Sequence, residues 1–309
     1  MYISVVVPTY NRLPILQKCL NALEHQKFTD SKISDYEVVV VDDGSTDSTI
    51  PWLREHQAQL AHVKVLKQQH QGAAAARNLG IVEALGDTIV FIDSDLVVTP
   101  SFLQTHADAL TQGEQERQSD RLFTYGAVIN TNNFANPTSE PYKLTDFSAA
   151  YFATGNVAIA RKWLLEAGLF DTGFLLYGWE DLELGVRLKK LNLKLIKCPQ
   201  AVGYHWHPAF NLEQIPQMIE QEIQRGKMGV VFYNKHPTFD VKMMIQMTIL
   251  HRILWGTLSI GGTLNEQSLQ PVLRWLIKRN KPQLAEQVAR IFLNWYSVQE
   301  VYRTYCNQK

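Results

Sequence analysis

Two carboxylates stand two residues apart in Asp93-Ser94-Asp95, directly after an apolar run. That run, residues 88–92, predicts a buried strand, because a short β-branched and apolar block with polar ends suits a sheet interior. Ligands of open α/β sheets bind beyond the carboxyl ends of the strands. Paired carboxylates there are costly to desolvate unless they pair with a cation or accept several hydrogen bonds. They suit a hard divalent metal that also binds phosphate oxygens. The alternative is that these acids only cap a turn or a helix.

Three further motifs stand at strand ends or at the start of a helix. Residues 8–12, Pro-Thr-Tyr-Asn-Arg, place an aromatic ring and a donor-rich side chain after the first strand. Residues 42–45, Asp-Asp-Gly-Ser, follow the second strand, and residues 72–78 begin a helix with small residues and carry Arg77, which suits phosphate or base contact. Each motif also has a structural explanation, since Asp-Gly-Ser is turn chemistry and an Ala-rich helix packs closely.

Strand and helix patterns alternate through the first half of the chain. Strand-like runs at 2–7, 36–41, 63–66 and 88–92 enclose helical patterns at 13–25, 47–59 and 72–85. This order predicts an α/β fold with right-handed crossovers and a mostly parallel sheet flanked by helices. The second half predicts a surface loop at 112–120, strands at 123–129, 157–160 and 201–206, a helix at 179–191, and long helices after Pro208.

Composition narrows the functional class. The 309 residues carry no formal net charge, which argues against nucleic-acid binding. Residues 1–186 hold 13 Lys and Arg against 23 Asp and Glu, whereas residues 187–309 hold 17 against 7. Three scattered cysteines and the absence of an N-terminal signal-peptide pattern favour a reducing, cytoplasmic location. Neither a P-loop nor a Gly-x-Gly-x-x-Gly fingerprint occurs, which disfavours P-loop ATPases and dinucleotide dehydrogenases.

The order of these motifs resembles family 2 glycosyltransferases, which are nucleotide-sugar enzymes of the GT-A fold. The pattern continues with Thr154-Gly155-Asn156, with residues 178–184 (Gly-Trp-Glu-Asp-Leu-Glu-Leu), and with residues 204–207 (Tyr-His-Trp-His). The resemblance covers about residues 1–235. It is nearest to the subgroup with a Trp-Glu-Asp acceptor motif, which includes chondroitin-polymerase-like and polypeptide N-acetylgalactosaminyltransferase-like domains.

The resemblance implies roles on the donor side. Tyr10 would stack on the nucleobase, Asp42 would accept its ring N–H, and Arg77 would hold the base or the diphosphate. Asp95 and His205 would ligate Mn²⁺ or Mg²⁺, and His207 is the alternative histidine. The full set expected to bind the nucleotide is Pro8, Thr9, Tyr10, Arg12, Asp42, Asp43, Arg77, Asp93 and Ser94.

On the acceptor side, the resemblance makes Asp181 the general base. Carboxylates in the first turn of a helix are also favoured by the helix dipole, so a purely stabilising role is the alternative. Asn156, Gly178, Trp179 and Glu180 would bind or position the sugars. The expected reaction is a metal-dependent, inverting transfer from a nucleotide-diphosphate sugar, of which a UDP-sugar is favoured, to a carbohydrate, lipid-linked or peptide acceptor during polysaccharide or glycoconjugate synthesis.

The expected organisation is a catalytic domain over residues 1–235 and a helical extension over 236–309. The catalytic domain would comprise a nucleotide-binding half at 1–111 and an acceptor-binding half at 121–210. Residues 243–260 are apolar but interrupted, which favours helix packing. The alternatives are an interfacial helix at the inner face of the membrane and a surface that binds a partner. Two other functional interpretations are a nucleotidyltransferase and a non-catalytic nucleotide-sugar-binding protein.

Overall fold

A computed structural model describes residues 1–29, 33–143, 146, 148 and 150–308. The chain divides into two compact units. The first comprises Met1–Thr172 and Glu180–His207, and the second comprises Gly173–Trp179 and the chain from Pro208 onward.

The first unit begins with alternating strands and helices that form the parallel part of one sheet. Strands β1 to β4 are parallel and are connected by α1, α2 and α3. β-Branched residues fill β1 and β2 because both strands are buried on both faces. The bounds are β1 Tyr2–Thr9, α1 Leu13–Glu24, β2 Asp35–Asp42, α2 Thr49–Glu55, β3 Val63–Lys67, α3 Ala73–Glu83 and β4 Thr88–Ile92.

The rest of the first unit extends this sheet to eight strands in the order β3-β2-β1-β4-β7-β6-β8-β5. The pairs β4–β7, β6–β7 and β5–β8 are antiparallel, whereas β6 and β8 are parallel. The predicted α/β class is confirmed. The bounds are β5 Leu96–Val98, α4 Phe102–Arg117, β6 Leu122–Thr131, β7 Asn156–Ala160, α5 Arg161–Glu166, α6 Glu180–Lys190 and β8 Lys194–Trp206.

The surface loop predicted at 112–120 is wrong for most of its length, because α4 continues to Arg117. Phe102, Leu103, Ala107 and Leu110 anchor this helix in the core, and its polar C-terminal turns extend the same helix toward solvent. The helix α5 and the three-residue strand β5 were not predicted, and β8 begins at residue 194 instead of 201.

The core of the first unit lies on both faces of the sheet. Alternate residues of each strand point to opposite faces. Val5, Val7, Val38 and Val40 therefore pack with α1 and α4 on one face. On the other face, Val6, Ile89 and Phe91 pack with α3 and α6. This double burial holds the carboxyl ends of the strands in place.

The second unit is helical. Its longest helix, α11, contacts α7, α9 and α10. Among the described residues, no helix is both long and apolar enough to span a bilayer. The domain boundary expected at 235/236 stays a prediction. The bounds are α7 Ile215–Lys235, α8 Phe239–Met244, α9 Ile249–Leu258, α10 Gln270–Lys278 and α11 Pro282–Asn307.

Candidate functional site

The predicted metal ligands meet at one edge of the sheet. Asp93 and Asp95 follow β4, and the next strand, β5, pairs with β8 so that Leu96 lies opposite His205. Asp93, Asp95 and His205 each offer one ligand atom, and these atoms lie within 4.8 Å of one another. Two carboxylates and an imidazole form a donor set that suits a divalent first-row cation. His207 lies nearby, with its ring centroid 6.1 Å from that of His205.

Asp95 is the buried centre of this cluster. Its Oδ2 forms an ion pair with Arg12, and its Oδ1 lies 3.2 Å from Nε2 of His205. Within the described part of the chain, Oδ1 has no hydrogen bond of regular geometry. A buried carboxylate oxygen without a hydrogen bond is costly, and a cation between Asp95 and His205 would satisfy it. The residues therefore fit a metal.

The charges in the cluster reinforce one another. Burial alone would raise the pKa of Asp95, but the imidazole of His205 and the guanidinium of Arg12 hold it below its ordinary value. Burial likewise acts to lower the pKa of His205, but Asp95 and then Asp93 raise it above its ordinary value. The carboxylates thus attract positive charge to this position, and His205 must give up a proton before a metal binds it.

Asp42 and Asp43 are neighbours in the chain but are placed differently. Asp42 is buried at the end of β2, and its Oδ2 accepts a hydrogen bond from the Ser45 backbone N–H. Its Oδ1 is buried and has no hydrogen-bond partner among the residues that the structure describes. Asp43 accepts from Gln68 Nε2 and from the backbone N–H groups of Gln71 and Gly72. Asp43 therefore ties the loop before α3 to the sheet, whereas Asp42 has an acceptor available.

The rim after β1 presents an exposed aromatic ring. Tyr10 is 42 % exposed and stacks on His70, with ring centroids 4.3 Å apart. The preceding residues are less exposed, since Thr9 is buried and Pro8 is partly buried. His70 cannot be singled out from the sequence, because a single histidine in a polar stretch has no periodic or motif context. In the structure, His70 Nδ1 lies 3.1 Å from the carbonyl oxygen of Asp43, one of the residues predicted to bind the nucleotide.

Arg77 connects a carboxylate of the predicted donor side, Asp93, to one of the predicted acceptor side, Glu180. Its side chain is only 7 % exposed, and it lies between two carboxylates. Nη2 is 3.1 Å from Asp93 Oδ1, and Nη1 is 3.2 Å from Glu180 Oε1. Burial acts to lower the pKa of Arg77, but Asp93, Glu180 and Asp181 raise it, so the guanidinium remains charged. Both of its Nη groups are thus engaged within the protein.

Asp181 occupies the first turn of α6, next to Glu180. Burial, and secondarily the charge of Glu180, raises its pKa to about 6, although Arg77 opposes the shift. Its Oδ1 accepts a hydrogen bond from the Leu182 backbone N–H at 2.8 Å. A carboxylate with a pKa near 6 is mostly ionised at neutral pH and still basic enough to accept a proton efficiently. This environment distinguishes Asp181 from an ordinary helix-capping acid.

Asn156, which the resemblance assigns to the sugar pocket, is fully buried. Its Oδ1 lies 2.8 Å from His106 Nε2, and its Nδ2 donates to the carbonyls of Ala127 and Ala201. These contacts span the register shift between β6 and β8 at Gly126/Ala127. The pKa of His106 falls to about 4 because the ring is buried, so His106 is neutral. The amide of Asn156 is thus already hydrogen-bonded, which fits support of β8 better than a direct sugar contact.

The remaining predicted residues are distributed between the two units. Ser94, which stands between Asp93 and Asp95 in the first unit, is buried. Gly178 and Trp179 belong to the second unit and both have positive φ, of 93° and 79°. A left-handed backbone strains a bulky residue such as Trp179. Its indole N–H donates to the Arg225 carbonyl at 2.7 Å, which holds the ring in place.

The sequence of this chain is similar to those of known proteins. The profile of glycosyl transferase family 2 matches residues 4–166. Chondroitin synthase from Escherichia coli is 31% identical over an alignment of 243 residues that covers 67% of this chain and 35% of that enzyme. The chain thus spans about a third of this relative's length.

Two solved structures share the fold. A mannosyltransferase from Pyrobaculum calidifontis in complex with GDP-Man and Mn²⁺ has a TM-score of 0.58 at 18% identity, over 99% of this chain and 88% of that one. GalNAc-T7 with UDP, GalNAc and Mn²⁺ has a TM-score of 0.52 at 17% identity, over 72% and 47% of the two chains. At these identities the similarity shows the fold alone.

Proposed function

Because the chain belongs to glycosyl transferase family 2 and has the GT-A fold, we propose that it transfers a sugar from a nucleotide-diphosphate sugar to an acceptor hydroxyl. The observation that carries this proposal is the chain of contacts from Asp93 through Arg77 to Glu180. These contacts connect a cluster that could hold a cation to the turn that contains Asp181, whose pKa is raised. Leaving-group stabilisation and proton removal are the two tasks of glycosyl transfer.

The proposed donor is a UDP-sugar. The unpaired Asp42 Oδ1 suits the ring N–H of a uracil, and the exposed face of Tyr10 suits stacking on that base. The structural relatives supply both alternatives, since one was solved with UDP and the other with GDP-Man. The similarity to chondroitin synthase supports a place in polysaccharide or glycoconjugate synthesis.

Asp95 and His205 would hold the metal, and Asp93 would contact it or its hydration shell. A bound Mn²⁺ or Mg²⁺ would neutralise the negative charge that develops on the departing diphosphate. The imidazole in the donor set favours Mn²⁺ over Mg²⁺. Arg12, which pairs with Asp95, would lie beside this charge and add to its neutralisation.

Asp181 would take the proton from the acceptor hydroxyl while the hydroxyl oxygen attacks the anomeric carbon. The bond from that carbon to the diphosphate breaks in the same step, and the nucleoside diphosphate leaves with the bonding electrons. One in-line displacement inverts the anomeric configuration and needs no enzyme nucleophile. Glu180 and Trp179 would orient the sugars, and Arg77 would fix the position of the Glu180 carboxylate.

A screen of nucleotide sugars with Mn²⁺ tests this proposal, with released nucleoside diphosphate and glycosylated product as readouts. Nucleotide transfer to the acceptor would instead indicate a nucleotidyltransferase. Donor binding without release, whichever carbohydrate, lipid-linked or peptide acceptor is supplied, would indicate a non-catalytic nucleotide-sugar-binding protein. The cytoplasmic location expected from the cysteines stays part of this proposal.

A further inference from the structure

The second unit carries an exposed apolar face on helix α9. At 100° per residue, six of its positions fall within one half of the helix circumference. Five of the six are large aliphatic residues, between 44 and 75 % exposed, and the sixth is Thr257. The five aliphatic residues are Ile249, Leu250, Ile253, Leu254 and Leu258.

The opposite half of α9 is the half that packs within this unit. Arg252 lies over the Tyr302 ring at 5.0 Å, and Trp255 donates to Gln246 Oε1 at 2.6 Å. Gly256 faces the Trp295 ring of α11. The helix is thus held by its polar and aromatic side, with its aliphatic side outward. Soluble monomers seldom expose an aliphatic face of this kind unless something covers it.

The charge of the flanking sequence indicates what kind of surface covers this face. Residues 241–265 contain no Asp or Glu, and residues 241–281 hold six Lys or Arg against the single acid Glu266. Glu266 itself accepts a hydrogen bond from the Tyr296 hydroxyl. An aliphatic face flanked in the sequence by basic residues complements a surface with an apolar interior and negatively charged groups at its boundary with water.

The length of α9 and the side chains of α10 both favour a position in the membrane interface. Ten residues of helix extend about 15 Å, half of what a bilayer core requires, so the helix can lie in the interface but cannot span it. On α10, the exposed Trp275 has the Arg279 guanidinium 5.5 Å from its ring centre. Tryptophan with adjacent basic residues is typical of the headgroup level of a membrane.

We propose that the aliphatic face of α9 docks the protein on an anionic lipid surface, where it lies in the plane of the interface. Hydrophobic insertion of the aliphatic residues would be assisted by the basic residues at 242–281. Binding should therefore require both acidic headgroups and low to moderate ionic strength.

The test is flotation of the full chain with vesicles of phosphatidylcholine alone or with 30 mol% phosphatidylglycerol. The matched pair of variants is Leu250→Glu/Ile253→Glu on α9 and Val82→Glu/Leu85→Glu, which places the same charges on exposed residues of the first unit. Wild type and the control should bind the anionic vesicles at 50 mM salt and lose most binding at 500 mM salt. The α9 variant should bind at least about tenfold more weakly, with an unchanged melting temperature.

Three results would overturn the proposal. The wild type could ignore anionic vesicles at low salt, or both double variants could bind them equally. The third is a wild-type dimer in solution that only the α9 variant dissociates, because a second copy would then be the occupant of the face. Glycosyl transfer to a soluble acceptor should be the same in all three proteins, so this test is independent of the proposed reaction.

Discussion

Arg77 Nη1 lies 3.2 Å from Glu180 Oε1, although 103 positions separate the two residues in the chain. The same guanidinium contacts Asp93, so one buried cation holds together two carboxylates that are predicted to lie on the donor and acceptor sides. This arrangement fixes the distance between the two halves of the candidate site. It also places a positive charge that partly offsets the rise in the pKa of Asp181.

Replacement of Arg77 by Ala should destabilise the fold, since it leaves two carboxylates facing each other without a cation. Loss of one partner of a buried ion pair costs about 3–5 kcal/mol, and the partial exposure of Asp93 and Glu180 reduces this to an expected ~2–4 kcal/mol. Urea unfolding measures the change. Arg290→Ala, which removes the exposed pair with Glu286, is the control and should cost less than ~1 kcal/mol. Equal effects would show that Arg77 is not structurally special.

The pH dependence of transfer should report Asp181. Because its pKa is about 6, a rate that needs the ionised carboxylate should fall as the pH drops below about 6. Glu180→Gln removes a neighbouring negative charge that raises this pKa, so the acid limb should move to lower pH. The measurement is kcat against pH at saturating donor and Mn²⁺, with Glu166→Gln on the exposed side of α5 as control. If the acid limb of the kcat profile did not move in Glu180→Gln, the titrating group would not be Asp181.

Asp95→Ala should abolish Mn²⁺-dependent donor binding, because the cluster would lose its buried carboxylate and the diphosphate would lose its bridge. Calorimetric titration with UDP, in the presence and absence of Mn²⁺, measures the effect. Asp120→Ala, which removes an exposed carboxylate paired with Lys162, should leave Mn²⁺-dependent binding intact. Full wild-type activity in the presence of a chelator would contradict metal dependence.

Asp42→Asn and Asp43→Asn should separate ligand recognition from folding. Among the residues that the structure describes, Asp42 Oδ1 is a buried acceptor without a partner, so replacement of Asp42 should weaken UDP binding about tenfold or more, with a small effect on stability. Asp43 accepts hydrogen bonds from three residues of the loop before α3, so its replacement should lower the free energy of unfolding by ~1–3 kcal/mol. Calorimetry measures UDP binding and urea unfolding measures stability for both variants. If Asp42→Asn lost mainly stability and Asp43→Asn lost mainly UDP binding, the two roles would have to be exchanged.

The parts of the fold that were predictable have strong local signals. Residues 88–92 read as a buried strand, and the acids after it lie at the edge of the sheet as expected. His205 joins those acids because β5 pairs with β8. That three-residue strand has no sequence period of its own and exists only through pairing with a segment about 100 residues away.

Other features depend on tertiary contacts alone. The burial of Asn156 against His106 and the stacking of His70 on Tyr10 follow from how distant segments meet. The pKa of Asp181 likewise depends on burial and on Glu180 and Arg77 together. In the second unit, composition favoured helix packing over 243–260, and the structure shows packing on only one side of α9.

Asp181→Asn should remove transfer while retaining the donor site. Asparagine nearly preserves shape but cannot accept the proton, and loss of a positioned base typically costs about 10²–10⁴-fold in rate. Donor affinity should stay within about threefold, because no nucleotide contact is assigned to Asp181. Glycosyl transfer and calorimetric UDP-sugar binding measure these two effects. Loss of both would place Asp181 on the donor sugar, and transfer within tenfold of wild type would leave Glu180 to be tested as the base.

The same substitution should stabilise the protein at neutral pH. The folded-state pKa of about 6 lies above the ordinary value of 3.8, so folding favours the protonated form of Asp181. Its ionisation therefore costs stability that grows as the pH rises from about 4 to 6 and is complete above 6, up to ~3 kcal/mol. Asparagine avoids that cost, so Asp181→Asn should gain ~1–3 kcal/mol in urea unfolding at pH 7.5 and little at pH 4. A variant that loses transfer and also loses stability at pH 7.5 would mean that the carboxylate holds the first turn of α6 through its hydrogen bond from Leu182, and the loss of rate could then not be attributed to proton transfer.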